Sequence, residues 1–173
     1  MLSLSDNEFS VISFLVRNFT EKLTIRNIAQ RLSFSSAGVF NILKKLEKQN
    51  IVIGEKLGTG LFYSMNFDSR IAEHLAAIVL LYSDEKAEKI GHELIRQAKA
   101  AIMDKKNLLL ITDNVTTIDS SIPNISVISK TEDEVIGLLR KRDPEILQLL
   151  KKGTVLIGEE KIVEIIKNCI SRF

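Results

Sequence analysis

The sequence predicts a mixed α+β chain in three parts: three helices and a β-hairpin, then a helical connector, then a small α/β domain. Three observations predict it. Apolar residues recur at helical spacing behind a serine or threonine in three segments ahead of Asn50. Two β-rich runs flank a Gly-Thr-Gly turn just after them. From residue 106 onward, branched apolar runs of strand length alternate with amphipathic helical ones. With 173 residues, 45% hydrophobic and 27% charged, the chain suits one medium domain or two small ones, and only 2 prolines and 8 glycines leave little room for disordered linker.

The first helix begins at Ser5, with Glu8 three residues on. This is the capping-box spacing, in which each side chain satisfies the other residue's free N–H. Phe9, Ile12, Leu15, Val16 and Phe19 then share one face. Thr24 caps a short second helix, TIRNIAQRL, with Ile25, Ile28, Ala29 and Leu32 inward; Ser33 and Phe34 form a turn, and Ser35 caps the third helix. At about 100° per residue, Val39, Ile42, Leu43 and Leu46 of that helix converge on one side, while Ala37, Asn41, Lys44 and Lys48 project from the other. One face is core and the other a basic ridge. The runs Ile51–Glu55 and Leu61–Asn66 then pair around Gly-Thr-Gly.

Helix, helix, turn, helix and hairpin in this order make a winged helix-turn-helix. The stretch LTIRNIAQRLSFSSAGVFNILKKLEKQNIVIGEKLGTGLFYSMN, Leu23–Asn66, resembles the DNA-binding domain of bacterial and archaeal winged-helix transcription regulators. The resemblance implies double-stranded DNA as partner, with helix three in the major groove. Ser36, Ala37 and Asn41 would lie near base edges, with the cap Ser35 also among the DNA-binding residues, and Lys44, Lys45 and Lys48 near phosphates. Thr24 and Arg26 would anchor phosphates at the start of helix two, and Lys56 and Thr59 of the wing would reach a phosphate or the minor groove. A plainer reading makes the lysines an ordinary solvated face of a winged helix used for protein contacts. Helix three carries no arginine, although arginine makes the commonest guanine contact.

Charge is nearly balanced, 24 basic against 22 acidic residues, so any polyanion must be met by a local patch. Residues 1–80 hold nine basic and seven acidic side chains, while 81–173 hold fifteen of each. So small an excess favours a homodimer reading two half-sites about one DNA turn apart. Its interface would come from the connector, residues 68–105, read as two helices or one bent one, with AAIVLLY also fitting a buried strand. Asp68 would cap a segment carrying Ile71, Leu75, Ile78, Val79 and Tyr82, and Ser83 or Asp84 would start another running through Ala87, Ile90, Leu94, Ile95, Ala98 and Ile102. Leu75, Ile78, Val79 and Tyr82 would face either a second copy or the chain's own α/β domain.

Residues 106–173 read as that α/β domain, following a winged helix placed at 1–67. Asn107–Thr112 and Ile125–Ser129 are strands separated by a polar turn; Thr131 with Glu134 is a second capping box; Asp143 caps a helix with Pro144 at its first position; TVLIG is a short strand and Glu159–Phe173 a last helix. Ile125–Asn168 looks like the C-terminal part of archaeal minimal nucleotidyltransferase domains, in its acidic helix start, Asp-Pro turn and Lys-Gly-hydrophobic-Gly-Glu close. That family catalyses with a Gly-Ser loop and an Asp-x-Asp pair holding Mg²⁺. Neither motif occurs here, so the domain would be truncated and inactive. The chain is expected to be no enzyme, without metal or cofactor.

Other features exclude further chemistry. The single Cys169 rules out an internal disulfide and multi-cysteine zinc sites, and His74 and His92 are isolated. Cys169 falls in the apolar stripe of the last helix. The longest apolar uncharged run, Leu75–Ser83, is nine residues, and Met1–Ser10 lacks a basic signal start, so a cytoplasmic protein is expected. Two other readings remain open: residual nucleotidyl transfer or nucleotide binding, and an antitoxin-like interaction protein.

Overall fold

A computed structural model describes residues 3–81, 98–113 and 125–170. The second connector segment from Ser83 to Gln97, with His92, lies outside them, as do Tyr82 and the polar turn around Asp119 and Pro123. The chain forms two compact units, Met1–Val79 and Leu80–Phe173.

In the first unit the order is α1 (Asp6–Arg17), α2 (Ile25–Leu32), α3 (Ser36–Lys48), β1 (Val52–Leu57), β2 (Gly60–Met65) and α4 (Arg70–Leu81), whose last two residues are counted with the second unit. This is a winged helix-turn-helix, and α1, α2 and α3 each start where their caps predict, whereas α4 starts at Arg70, two residues past the expected cap Asp68, which lies in a turn. Ser5 and Glu8 form a reciprocal capping box, Thr24 does the same with Asn27, and the Ser35 hydroxyl accepts from the Gly38 amide. The turn between α2 and α3 closes through left-handed Ser33, φ 57°, with the Phe34 amide donating to the Ala29 carbonyl at 2.9 Å. Asn50, φ 57°, ends α3 in the same conformation.

The core of this unit collects Val11, Ile12, Leu15 and Val16 from α1, Ile28 and Ala29 from α2, Val39, Leu43 and Leu46 from α3, and Val52, Tyr63 and Met65 from the hairpin. Ile42 is half-buried beside that seam. β1 and β2 pair antiparallel from Val52↔Met65 to Leu57↔Gly60, and Gly58 at the tip takes φ 58°. Leu23 adds an isolated bridge to Tyr63, whose amide donates to the Leu23 carbonyl at 2.8 Å. The wing is thereby tied to the start of α2. On α4, Leu75 and Val79 are buried, whereas Ile71, Ile78 and Leu81 are exposed on the adjoining stripe.

The second unit contains β3 (Ala100–Asp104), β4 (Asn107–Ile111), β5 (Ser126–Lys130), α5 (Glu132–Arg140), α6 (Pro144–Lys152), β6 (Thr154–Ile157) and α7 (Glu159–Ile170). The sheet order is β5-β4-β3-β6, with β4 and β5 parallel and the other pairs antiparallel. A helix running through to Lys105 is therefore not what forms: residues 100–104 are a strand, and the sheet begins before residue 106. Ala100, Ala101 and Ile102 are each 0% exposed, so pairing with β4 and β6 and burial on both faces override the helix propensity of the alanines. Left-handed Lys105, φ 51°, makes the hairpin turn without a glycine.

Side-chain alternation assigns the faces. Ile102 pairs with Leu109 and Leu109 with Ile128, and Gly153 at the end of α6 abuts Ile102, so α6 covers this side. Ala101, Leu108 and Leu110 form a second cluster on the other side, with Met103 and Val127 against it. α5 and α7 pack on one another, and α6 and α7 both reach β3. The expected caps are present: Thr131 with Glu134, and Asp143 accepting from the amides of Glu145 and Ile146, both at 3.1 Å. Cys169 is buried in α7, where burial pushes its thiol pKa up. Among the described residues no helix is long and apolar enough to cross a membrane, and no three His, Cys, Asp or Glu side chains converge as a metal site.

Gly158 links β6 to α7 at φ 77°, and a Cβ there would collide with the Lys99 carbonyl and Ala100. Gly158→Ala is expected to destabilise the second unit by at least about 1 to 3 kcal/mol, read as an earlier urea midpoint at unchanged slope. An unaltered midpoint would show that this junction relaxes freely.

Candidate nucleic-acid interface

A helix buries one stripe and must expose its opposite. Val39, Leu43 and Leu46 of α3 are each 0% exposed, and the positions about 180° away, Ala37, Asn41, Lys44 and Lys48, are all exposed. Ser35 and Ser36 are exposed at the helix start. The ridge read from the sequence is thus an outward surface of the first unit, flanked by two different environments.

On the α1 side stands Lys45. Its ammonium lies 2.6 Å from Oε1 of Glu8, and the other carboxylate oxygen accepts from the Ser5 amide at 2.8 Å. Glu8 is 5% exposed. Burial pushes its carboxyl up, but the hydrogen bonds from Lys45 and from the Ser5 amide outweigh that and hold it below the usual glutamate value. One residue thus ends the capping box and locks α3 to α1. Lys45, expected beside the phosphates, is committed to this contact.

On the wing side stand Phe40, Lys44 and Glu47. Lys44 donates to Glu47 at 3.2 Å and sits 6.0 Å from the centre of the Phe40 ring. The hydrogen bond and charge of Glu47 hold the Lys44 ammonium above its ordinary pKa. Gly54 of β1 leaves room for the Glu47 carboxylate, which a Cβ there would meet at 2.9 Å. Below lies Tyr63, 1% exposed, its hydroxyl without a hydrogen-bond partner among the described residues. Burial first, and Glu47 second, push its phenol pKa up.

Of the remaining expected residues, Arg26 is exposed on the first turn of α2, while the Thr24 hydroxyl is occupied in its cap, bonding Asn27 Oδ1 at 2.7 Å. Lys56 and Thr59 are exposed on the wing. α3 and the wing therefore bring Ala37, Asn41, Lys44, Lys48 and Lys56 to the surface of one unit. What the sequence reading left out is Phe40, 44% exposed, and the acids that answer the lysines: Glu8, Glu47, and Glu55, which lies 3.8 Å from Lys22. The Lys44–Glu47 spacing of three was legible. The Glu8–Lys45 contact had no local signal.

Residues 2–58 match the MarR family model. The match covers about a third of the chain, α1 through β1 and the Gly58 turn, and stops before β2. Neither the curated proteins nor the solved structures contain a match to the chain. The likeness of Ile125–Asn168 to nucleotidyltransferases has no support from these comparisons.

Because the Glu8 carboxyl is held below its unfolded value, its contribution is complete above that value and lost as pH falls through the folded one. Glu8→Gln keeps a capping side chain and removes the charge. It is expected to cost about 1 to 2 kcal/mol at neutral pH, with the gap to wild type closing below about pH 4. A gap that persists in acid, measured by urea unfolding across pH, would assign the loss to packing.

Proposed function

We propose that this chain is a DNA-binding transcription regulator that places α3 in the major groove and its β-hairpin wing alongside. The observation that carries the reading is the exposed ridge Ala37-Asn41-Lys44-Lys48, set opposite a wholly buried seam in a winged helix-turn-helix. The match of residues 2–58 to the MarR family, whose members are DNA-binding regulators, supports it. In this reading Ser36, Ala37 and Asn41 approach base edges, with Ser35 fixing the helix start. Lys44, Lys48 and Arg26 meet phosphates, Thr24 orients α2 through its cap, and Lys56 and Thr59 reach from the wing. Lys45 contributes by anchoring α3 to α1.

Phosphate contacts are few, and acids already answer Lys44 and Lys45. A single copy therefore binds weakly and loses affinity quickly with salt. We infer a homodimer, and the exposed stripe Ile71, Ile78 and Leu81 on α4 is the surface that favours it. The C-terminal unit serves dimerisation or partner contacts and catalyses nothing.

A gel-shift series over salt with duplex genomic fragments tests the reading. Wild type is expected to bind with a steep log–log salt slope, Lys48→Ala to flatten that slope by about one, and Lys44→Glu/Lys48→Glu to bind at least about a hundredfold more weakly while keeping its fold. Unchanged binding by the double variant would remove α3 from the mechanism.

A further inference from the structure

The α3 surface carries enough chemistry to say which base pairs it reads. A recognition helix touches base edges with its N-terminal half and backbone with its later turns. The exposed residues of α3 are Ser36, Ala37, Phe40, Asn41, Lys44, Lys45 and Lys48. Guanine is read in the major groove by arginine or lysine on O6 and N7. This helix has no arginine, Lys45 is held by Glu8, and Lys44 and Lys48 lie on its later turns, which face backbone. The base-facing half is left with Ser36, Ala37, Phe40 and Asn41.

Ser36 can pair with any base, and the other three share a preference. A primary amide pairs with adenine, accepting from N6–H and donating to N7, whereas guanine offers it two acceptors. Apolar carbon on the helix surface is satisfied by the only apolar group in the groove, the thymine methyl. Phe40 is 44% exposed, and Lys44 sits 6.0 Å from its ring centre. Against a guanine or cytosine edge the Phe40 ring would desolvate polar groups without pairing them.

We propose that α3 reads adjacent A·T pairs, with Asn41 on adenine and Phe40, assisted by Ala37, on thymine methyl groups. The inference rests on the regulator reading and adds its sequence class. Phe40 is then a specificity residue outside the lysine ridge.

The test is selection of duplexes from a random library by the full chain, followed by replacement of each thymine in the selected site by uracil, which removes only the methyl group. Selected half-sites are expected to carry neighbouring A·T pairs. At least one thymine-to-uracil change should weaken wild type about fourfold, as the loss of one buried methyl implies, and leave Phe40→Ala unaffected. Replacing an adenine by 7-deazaadenine should weaken wild type about tenfold and Asn41→Ala not at all, an arm independent of whether Phe40→Ala folds. The inference is overturned by half-sites built on G·C pairs. It is equally overturned if uracil and deazaadenine scans reveal no position whose effect disappears in the matching variant. Salt-insensitive binding, or no binding to any duplex, would end the regulator reading and take this inference with it.

Discussion

The buried stripe of α3 is the constraint on which the first unit depends. Val39, Leu43 and Leu46 are sealed among α1, α2 and the hairpin root, and the helical repeat then fixes which side chains meet solvent. The caps at Ser5, Thr24 and Ser35 set where each helix starts, and so which residues fall on the stripe. A shift of one residue in the start of α3 would rotate the ridge by about 100° and bring lysine toward the core. Packing and surface chemistry are in this sense one decision.

Acidic partners shape the surface as much as lysines do. Glu8 and Glu47 hold Lys45 and Lys44 on opposite flanks of α3, which positions both ammonium groups and cancels much of their field. The two pairs differ in kind. Lys44–Glu47 is exposed and contributes little to stability, whereas Glu8 is buried, so removing its partner would strand a carboxylate away from water. A polyanion can compete for Lys44 by displacing Glu47 into solvent; competing for Lys45 would dismantle a junction between helices.

What could be read in the sequence was what local chemistry decides. Ser5 with Glu8, Thr131 with Glu134, and Asp143 before Pro144 announced helix starts because capping is a contact over three residues. The ridge was legible because periodicity alone assigns it. Residues 100–104 were misjudged, since Ala100, Ala101 and Ile102 following Lys99 suit a helix, and only partners at Leu109–Ile111 and Val155–Ile157 make them a strand. Lys105 gave no turn signal because its left-handed conformation is imposed by the hairpin. Lys45 was placed on the right helix, but its partner lies 37 residues earlier, beyond any local rule. Phe40 carries neither charge nor a capping role, so no local signal marks it as a surface residue.

The short bridge between Leu23 and Tyr63 carries a mechanical implication. It welds the base of the wing to the entry of α2, while the core fixes α3 between them. The base of the wing and the entry of α2 therefore share one hydrogen-bonded hinge point beside α3. In the proposed regulator a duplex laid across α3 and the wing would meet edges joined at that point, and its own stiffness would enter the energy of the fit.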